Sequence, residues 1–203
     1  MFKQHVPNIL TISRIVITPV LLMLLLTHTL WGYAAALTLF VLAAISDYLD
    51  GVLARAYQTS SRIGQFLDPF ADKVLVLGTF ITLSFMRPDL VPWWAVALIA
   101  LRDVGVTVLR SWAEANGRSI RTLPVAKLKT TLQLVFLIGV LAMLTLTKVS
   151  GWPQSVGIWV LDSIIPFFIL MALVVLTAGT GVLYMFRLEY TRPADAEGGP
   201  AEA

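Results

Sequence analysis

Apolar residues fill this chain in long unbroken runs, separated by short polar breaks. Six runs stand out, at 8–26, 31–56, 61–85, 91–115, 125–146 and 157–186. Each approaches or exceeds the roughly 20 residues that an α-helix needs to cross a hydrocarbon core. Such runs, apolar on every side rather than along one stripe, belong to helices that face lipid or a deep interior. The breaks carry turn chemistry. Arg87-Pro88-Asp89 follows the third run, and proline resists helix continuation because it lacks an N–H. Ser150-Gly151-Trp152-Pro153 breaks the chain before the sixth run. The pattern predicts an all-α, polytopic integral membrane protein with six transmembrane helices in one domain, 1–187. A disordered tail, 188–203, is expected from its Pro, Gly, Ala and acidic residues. The first run, with its basic start, has the outline of a signal peptide. The apolar character continues through Ala34-Ala35-Ala36, so no soluble mature domain begins there.

Composition supports this reading. Hydrophobic residues make up 58% of the 203, against about 45–50% in soluble domains, and only 13% are charged. Mean hydropathy is +0.82. Cysteine is absent, which excludes disulfides and thiolate metal sites. A pI near 9.4 would suit nucleic acid, but the basic residues are scattered at helix ends and no soluble face remains to carry a patch. Of the 15 Lys and Arg residues, only Arg87 and Lys148 fall on the face opposite the N-terminus. That bias predicts both termini on the cytoplasmic side.

Charge then becomes chemistry at one place. Asp47 and Asp50 close the second run, and Asp68 and Asp72 open the third. An aspartate at the centre of a membrane helix costs about 2.5–3.5 kcal/mol on insertion scales. Residues three or four apart share a helix face. Counted from a turn near Thr59, Asp50 and Asp68 both lie roughly 13 Å along their helices, and Asp47 and Asp72 both lie roughly 19 Å along. Two helices side by side would therefore stack the four carboxylates in two layers. Four hard oxygen donors suit Mg²⁺ or Mn²⁺, as two ions, and the lack of His and Cys argues against Zn²⁺. Gly51, Ala54 and Gly64 are small residues that let a ligand or a helix approach the backbone, and Arg55 at the rim suits a phosphate. Taken singly, the small residues read as packing devices, Arg55 as an interfacial anchor and a lone Asp as part of an ion path. The combination favours a metal site that grips phosphate.

Written out, Asp47 to Asp72 reads Asp-x2-Asp-Gly-x2-Ala-Arg-x8-Gly-x3-Asp-x3-Asp. This resembles the signature of the CDP-alcohol phosphotransferase family at every motif position. The segments from Val6 to Arg14, Gly64 to Lys73, Leu109 to Gly117 and Lys127 to Thr131 resemble the phosphatidylglycerophosphate synthase branch. The resemblance implies a homodimeric bacterial inner-membrane enzyme with a cytoplasm-facing site. It implies transfer of a phosphatidyl group from CDP-diacylglycerol to glycerol 3-phosphate, with release of CMP. It assigns the metals to Asp47, Asp50, Asp68 and Asp72, and the general base to Asp72. It sets the nucleotide against Gly51, Ala54, Arg55 and Gly64, with Asn8 and Thr11 as further polar contacts. Asn8 alone reads equally well as a helix cap. An acceptor with a phosphate dianion needs a basic pocket, for which Arg102, Arg110, Lys127 and Lys129 are the candidates. Two departures bear on the acceptor: Asp103 stands where the branch more often has Glu, and Ala126 where Gly is usual. The Arg102-Asp103 pair also resembles CDP-alcohol-type cardiolipin synthases, so phosphatidylglycerol, serine and an inositol phosphate stay open as acceptors. From other classes, a cation transporter would use the acids without the Gly, Ala and Arg positions, and a purely structural membrane protein leaves the four acids unexplained.

Overall fold

Inside hydrocarbon a backbone must satisfy its own N–H and C=O groups, and runs of Leu, Val, Ile and Ala do so as helices. A computed structural model describes residues 6–57, 62–115 and 124–190, with side chains for 13–47, 73–109, 112 and 128–181. All described elements are α-helices: α1 (Val6–Leu26), α2 (Leu30–Tyr57), α3 (Arg62–Met86), α4 (Trp93–Ala115), α5 (Pro124–Leu146), α6 (Trp152–Asp162) and α7 (Ile165–Tyr190). The first five match the apolar runs to within about two residues at either end. Among the described residues, Leu30–Asp47 and Leu128–Leu146 are each long and apolar enough to cross a membrane alone. Trp152–Asp162 and Ile165–Gly181 form a third such span if the bent pair is counted as one.

The sixth run departs from expectation. It folds as two helices bent by 46°. The reason lies at Ser163, whose extended backbone (φ −74°, ψ 163°) ends α6 while its N–H caps the carbonyls of Trp159 and Val160. Pro166 follows in the first turn of α7, where its missing N–H costs nothing. Proline also biases the preceding Ile165 away from helical backbone. At its C-terminal end α7 runs to Tyr190, three residues into the expected tail, and residues 191–203 lie outside the described set.

α1 packs on both α2 and α3, α2 on α5, and α4 on α7, with α5 touching α3, α6 and α7. α1 thus touches both helices that carry the acids. Gly78 of α3 sits against Thr18 and Leu22 of α1. The core contains Leu21, Leu25, Phe40, Phe80, Leu83, Ile99, Leu137 and Leu141, all fully buried, and Phe80 stacks on Phe136 at 6.0 Å. Large apolar side chains elsewhere face outward, as expected of a surface in contact with lipid.

α6 lies directly on the backbone of α5. A Cβ on Gly157 would meet the Met143 carbonyl oxygen at 2.8 Å and the Thr147 nitrogen at 2.9 Å. Gly157→Val is therefore expected to push the helices apart and to destabilise the fold by about 1–3 kcal/mol, read as a lower unfolding midpoint in detergent. An unchanged midpoint would mean that α6 is not held there.

At the same end of the bundle, Arg87 bridges Asp89 and Asp162 at 2.7 and 2.8 Å, tying the α3–α4 turn to the end of α6. The hydrogen bond from Arg87 holds the Asp89 carboxyl below the usual carboxylate range, against partial desolvation. A depressed folded-state pKa stabilises above the unfolded value, roughly 4. That contribution fades as pH falls through the folded value. Asp89→Asn is expected to flatten the loss of thermal stability below about pH 4 and to leave the slope near neutrality unchanged.

Candidate functional site

The acidic motif spans the end of α2 and the start of α3. Asp47, Asp50, Gly51, Ala54 and Arg55 occupy the C-terminal half of α2, and Gly64, Asp68 and Asp72 the N-terminal half of α3. Asn8 and Thr11 lie in the first turns of α1, which packs against both. Of these, Asp47 has a described side chain. Those of Asp50, Gly51, Ala54, Arg55, Gly64, Asp68, Asp72, Asn8 and Thr11 lie outside the described residues, as do those of Arg110 and Lys127.

Asp47 is held by an arginine that in the sequence counts only toward the positive bias of the N-terminal face. Arg14, in the middle of α1, donates from Nη1 to the Asp47 carboxylate. The arginine side chain is 2% exposed and the aspartate 43%. A buried guanidinium without a counterion would be costly, so α1 and α2 are pinned at this level. Asp47 nevertheless keeps an accessible side, which a cation ligand requires. A hard, partly open carboxylate with three further carboxylates in the same segments is a donor set that fits Mg²⁺ or Mn²⁺. Among the described residues alone, no cluster of three or more His, Cys, Asp or Glu is formed.

A second ionic group lies beside the first, since Lys73 follows Asp72 directly. Its centre is Asp103 of α4, 2% exposed. Lys129 of α5, 1% exposed, donates to its Oδ1. Arg102 reaches the same oxygen at 3.3 Å, and Lys73 of α3 stands 3.8 Å from Oδ2. Arg102 also donates to Thr180 Oγ1 of α7 at 2.9 Å. Gly181 makes room for that arginine, because a Cβ there would meet its Cγ at 2.9 Å. Three helices thus meet at one carboxylate beside three cations, and α7 joins them through Arg102. Buried charge is tolerated only when compensated, and Asp103 is a shared counterion for these side chains. Two further polar atoms near this level of α5 and α7, Gln133 Nε2 and Thr177 Oγ1, are buried without a hydrogen-bond partner.

The structure therefore brings together two predicted acceptor residues, Arg102 and Lys129, and adds Asp103 and Lys73, which the sequence reading had not placed in a site. Arg102 and Asp103 stand out in the sequence as a charged pair inside an apolar run. Nothing in linear spacing pointed to Lys129 as their partner 26 residues on.

A model of the CDP-alcohol phosphatidyltransferase family matches residues 4–176. The chain is 41% identical over 134 residues to a Cereibacter sphaeroides protein named CDP-diacylglycerol–glycerol-3-phosphate 3-phosphatidyltransferase. That alignment covers 64% of this chain and 60% of the relative, less than two thirds of its length. Proteins of the same name from Shigella flexneri and Escherichia coli K12 are 33% and 32% identical over 159 residues, 76% of this chain and 83% of theirs.

Proposed function

The chain belongs to the CDP-alcohol phosphatidyltransferase family, and we propose that it transfers the phosphatidyl group of CDP-diacylglycerol to glycerol 3-phosphate, releasing CMP. The observation that carries the reading is the complete acidic motif, Asp47 to Asp72, inside a family match that spans most of the chain. Its relatives' names supply the acceptor. In this reading six spans place both termini and the acidic ends in the cytoplasmic half of a bacterial inner membrane, and the protein acts as a homodimer.

The reaction is an in-line displacement at phosphorus, so the residues work mainly by position and charge. Asp47, Asp50, Asp68 and Asp72 would hold two divalent cations, which supply charge neutralisation at the diphosphate when bound. Arg14 fixes the position of Asp47 through their ion pair. Arg55 holds a donor phosphate with its planar fork. Gly51, Ala54 and Gly64 leave space for the nucleotide, with Asn8 and Thr11 at its polar edge. Asp72 takes the proton of the acceptor hydroxyl. A carboxylate is a weak base at neutral pH, so it acts on a hydroxyl whose acidity has been raised.

The acceptor's phosphate carries two negative charges, and three cationic side chains gather around Asp103. Arg102, Lys129 and Lys73 therefore attract it, with Arg110 and Lys127 at the mouth. Asp103 keeps three mutually repelling cations in one place, as a positioning residue.

Purified protein given CDP-diacylglycerol and one acceptor at a time tests the reading. CMP and phosphatidylglycerophosphate are expected with glycerol 3-phosphate. CMP release with phosphatidylglycerol alone would make the protein a cardiolipin synthase. Cation flux into proteoliposomes without any CMP would make it a transporter.

A further inference from the structure

At the end of the bundle away from Asp47 there is a cavity of about 250 Å³, lined by His28, Tyr33, Arg87, Thr147, Lys148 and Asp162 among others. The α1–α2 turn and the ends of α3, α5 and α6 meet there. Arg87 and Lys148 are the two basic residues that break the chain's charge bias, and they come from distant parts of the sequence. The fold delivers both to one pocket. Scattered surface charges would have no reason to converge in this way.

Counting Asp89, the counterion of Arg87 outside the lining, the charges around the pocket balance, but they are separated. Arg87 is held by two carboxylates, Asp89 and Asp162. Asp162 receives Arg87 on Oδ1 and is 60% exposed, which leaves its other oxygen available. Lys148 has no carboxylate partner among the described residues, and its Nζ stands 5.9 Å from the centre of the Tyr33 ring. Between these poles lies His28, in left-handed backbone (φ 55°), with Nδ1 hydrogen-bonded to the Tyr33 hydroxyl at 2.9 Å. The turn is closed by Gly32, whose N–H caps onto Thr29 Oγ1 at 3.0 Å and whose missing Cβ clears the Leu24 carbonyl.

Position supplies the class of ligand. The cavity lies where the span Leu30–Asp47 begins and the span Leu128–Leu146 ends. Trp31, Trp93, Trp94, Trp152 and Trp159 are exposed at this same end of the helices. Tryptophan collects at the headgroup level of a bilayer.

We propose that this cavity binds a zwitterionic phospholipid headgroup, with its phosphate on Lys148 and its ammonium on Asp162. A neutral but polarised pocket matches a neutral but polarised ligand. An anionic headgroup would satisfy Lys148 and face Asp162 unfavourably. The inference concerns a site remote from the acidic motif and does not depend on the reaction proposed above.

Native mass spectrometry of the detergent-purified full chain tests it, with phosphatidylethanolamine, phosphatidylglycerol and soluble phosphoethanolamine as probes. Phosphatidylethanolamine is expected to bind several-fold tighter than phosphatidylglycerol, and soluble phosphoethanolamine far more weakly than either lipid. Lys148→Gln should weaken phosphatidylethanolamine binding about fivefold, on the scale of one partly exposed ion pair. It removes no ion pair of the fold, so phosphatidyl transfer in detergent should persist unchanged. Asp162→Asn leaves the pocket with a net positive charge and should turn its preference toward phosphatidylglycerol. Equal binding of the two lipids, or no response to Lys148→Gln, would overturn the proposal. Soluble phosphoethanolamine bound as tightly as the lipid would overturn the assignment to a membrane component.

Discussion

Asp72→Asn is expected to lower CMP release on the order of 10²–10⁴-fold, the range for loss of a positioned acid or base. The substitution keeps shape and removes one negative charge, so packing is nearly untouched. Asp68→Asn, which removes a metal donor without removing the base, should also abolish most turnover. Added Mn²⁺ should restore part of the Asp68→Asn activity and little of the Asp72→Asn activity, because the second variant lacks the base at any metal concentration. Stability should move the other way. In metal-free buffer a carboxylate among carboxylates is a liability, and either variant should unfold at the same temperature as the parent or higher. Steady-state assays and thermal unfolding in EDTA separate the two effects. Full activity in either variant would remove the acidic motif from the mechanism.

The second large effect is expected at Asp103. Replacing it with leucine removes the carboxylate to which Lys129 donates and which Arg102 and Lys73 approach, in a place where Asp103 and Lys129 are almost fully buried. Removing one partner of a buried ion pair costs about 3–5 kcal/mol. Loss of folded protein at ordinary temperature is therefore the expected outcome, seen as early thermal unfolding in detergent. The double variant Asp103→Leu with Lys129→Met should recover part of the loss, since it also removes the buried ammonium that Asp103 held. Asp103→Glu keeps the charge and should fold, with its effect falling on the KM for the acceptor more than on kcat. A single Asp103→Leu variant as stable as the parent would show that the cations were never held by this carboxylate.

Helix placement was legible because it depends on runs of composition, and lipid leaves a backbone few alternatives. The break between α6 and α7 was also written in the chain, in Ser163 and Pro166, but a continuous apolar run hides a bend when only hydropathy is counted. Depth along each helix could be read from spacing; direction around it could not. That is why Asp47 was placed correctly in the acidic segment of α2 while its partner was missed. Arg14 is 33 residues away and looks, in sequence, like another positive charge near a helix start. The same holds for Lys129, which spacing alone left as an anchor or a phosphate contact, and which the fold turns inward to Asp103. The packing of α1 on both α2 and α3 is equally invisible to spacing.

The central claim is that the acidic ends of α2 and α3 form one divalent-cation site. Mn²⁺ titration of the purified protein with CDP-diacylglycerol, followed by electron paramagnetic resonance, tests it most directly. The parent chain should bind about two Mn²⁺ ions, as a two-metal phosphoryl-transfer site would. The variant with asparagine at Asp47, Asp50, Asp68 and Asp72 should bind none with comparable affinity. Undiminished Mn²⁺ binding by that variant would contradict the account.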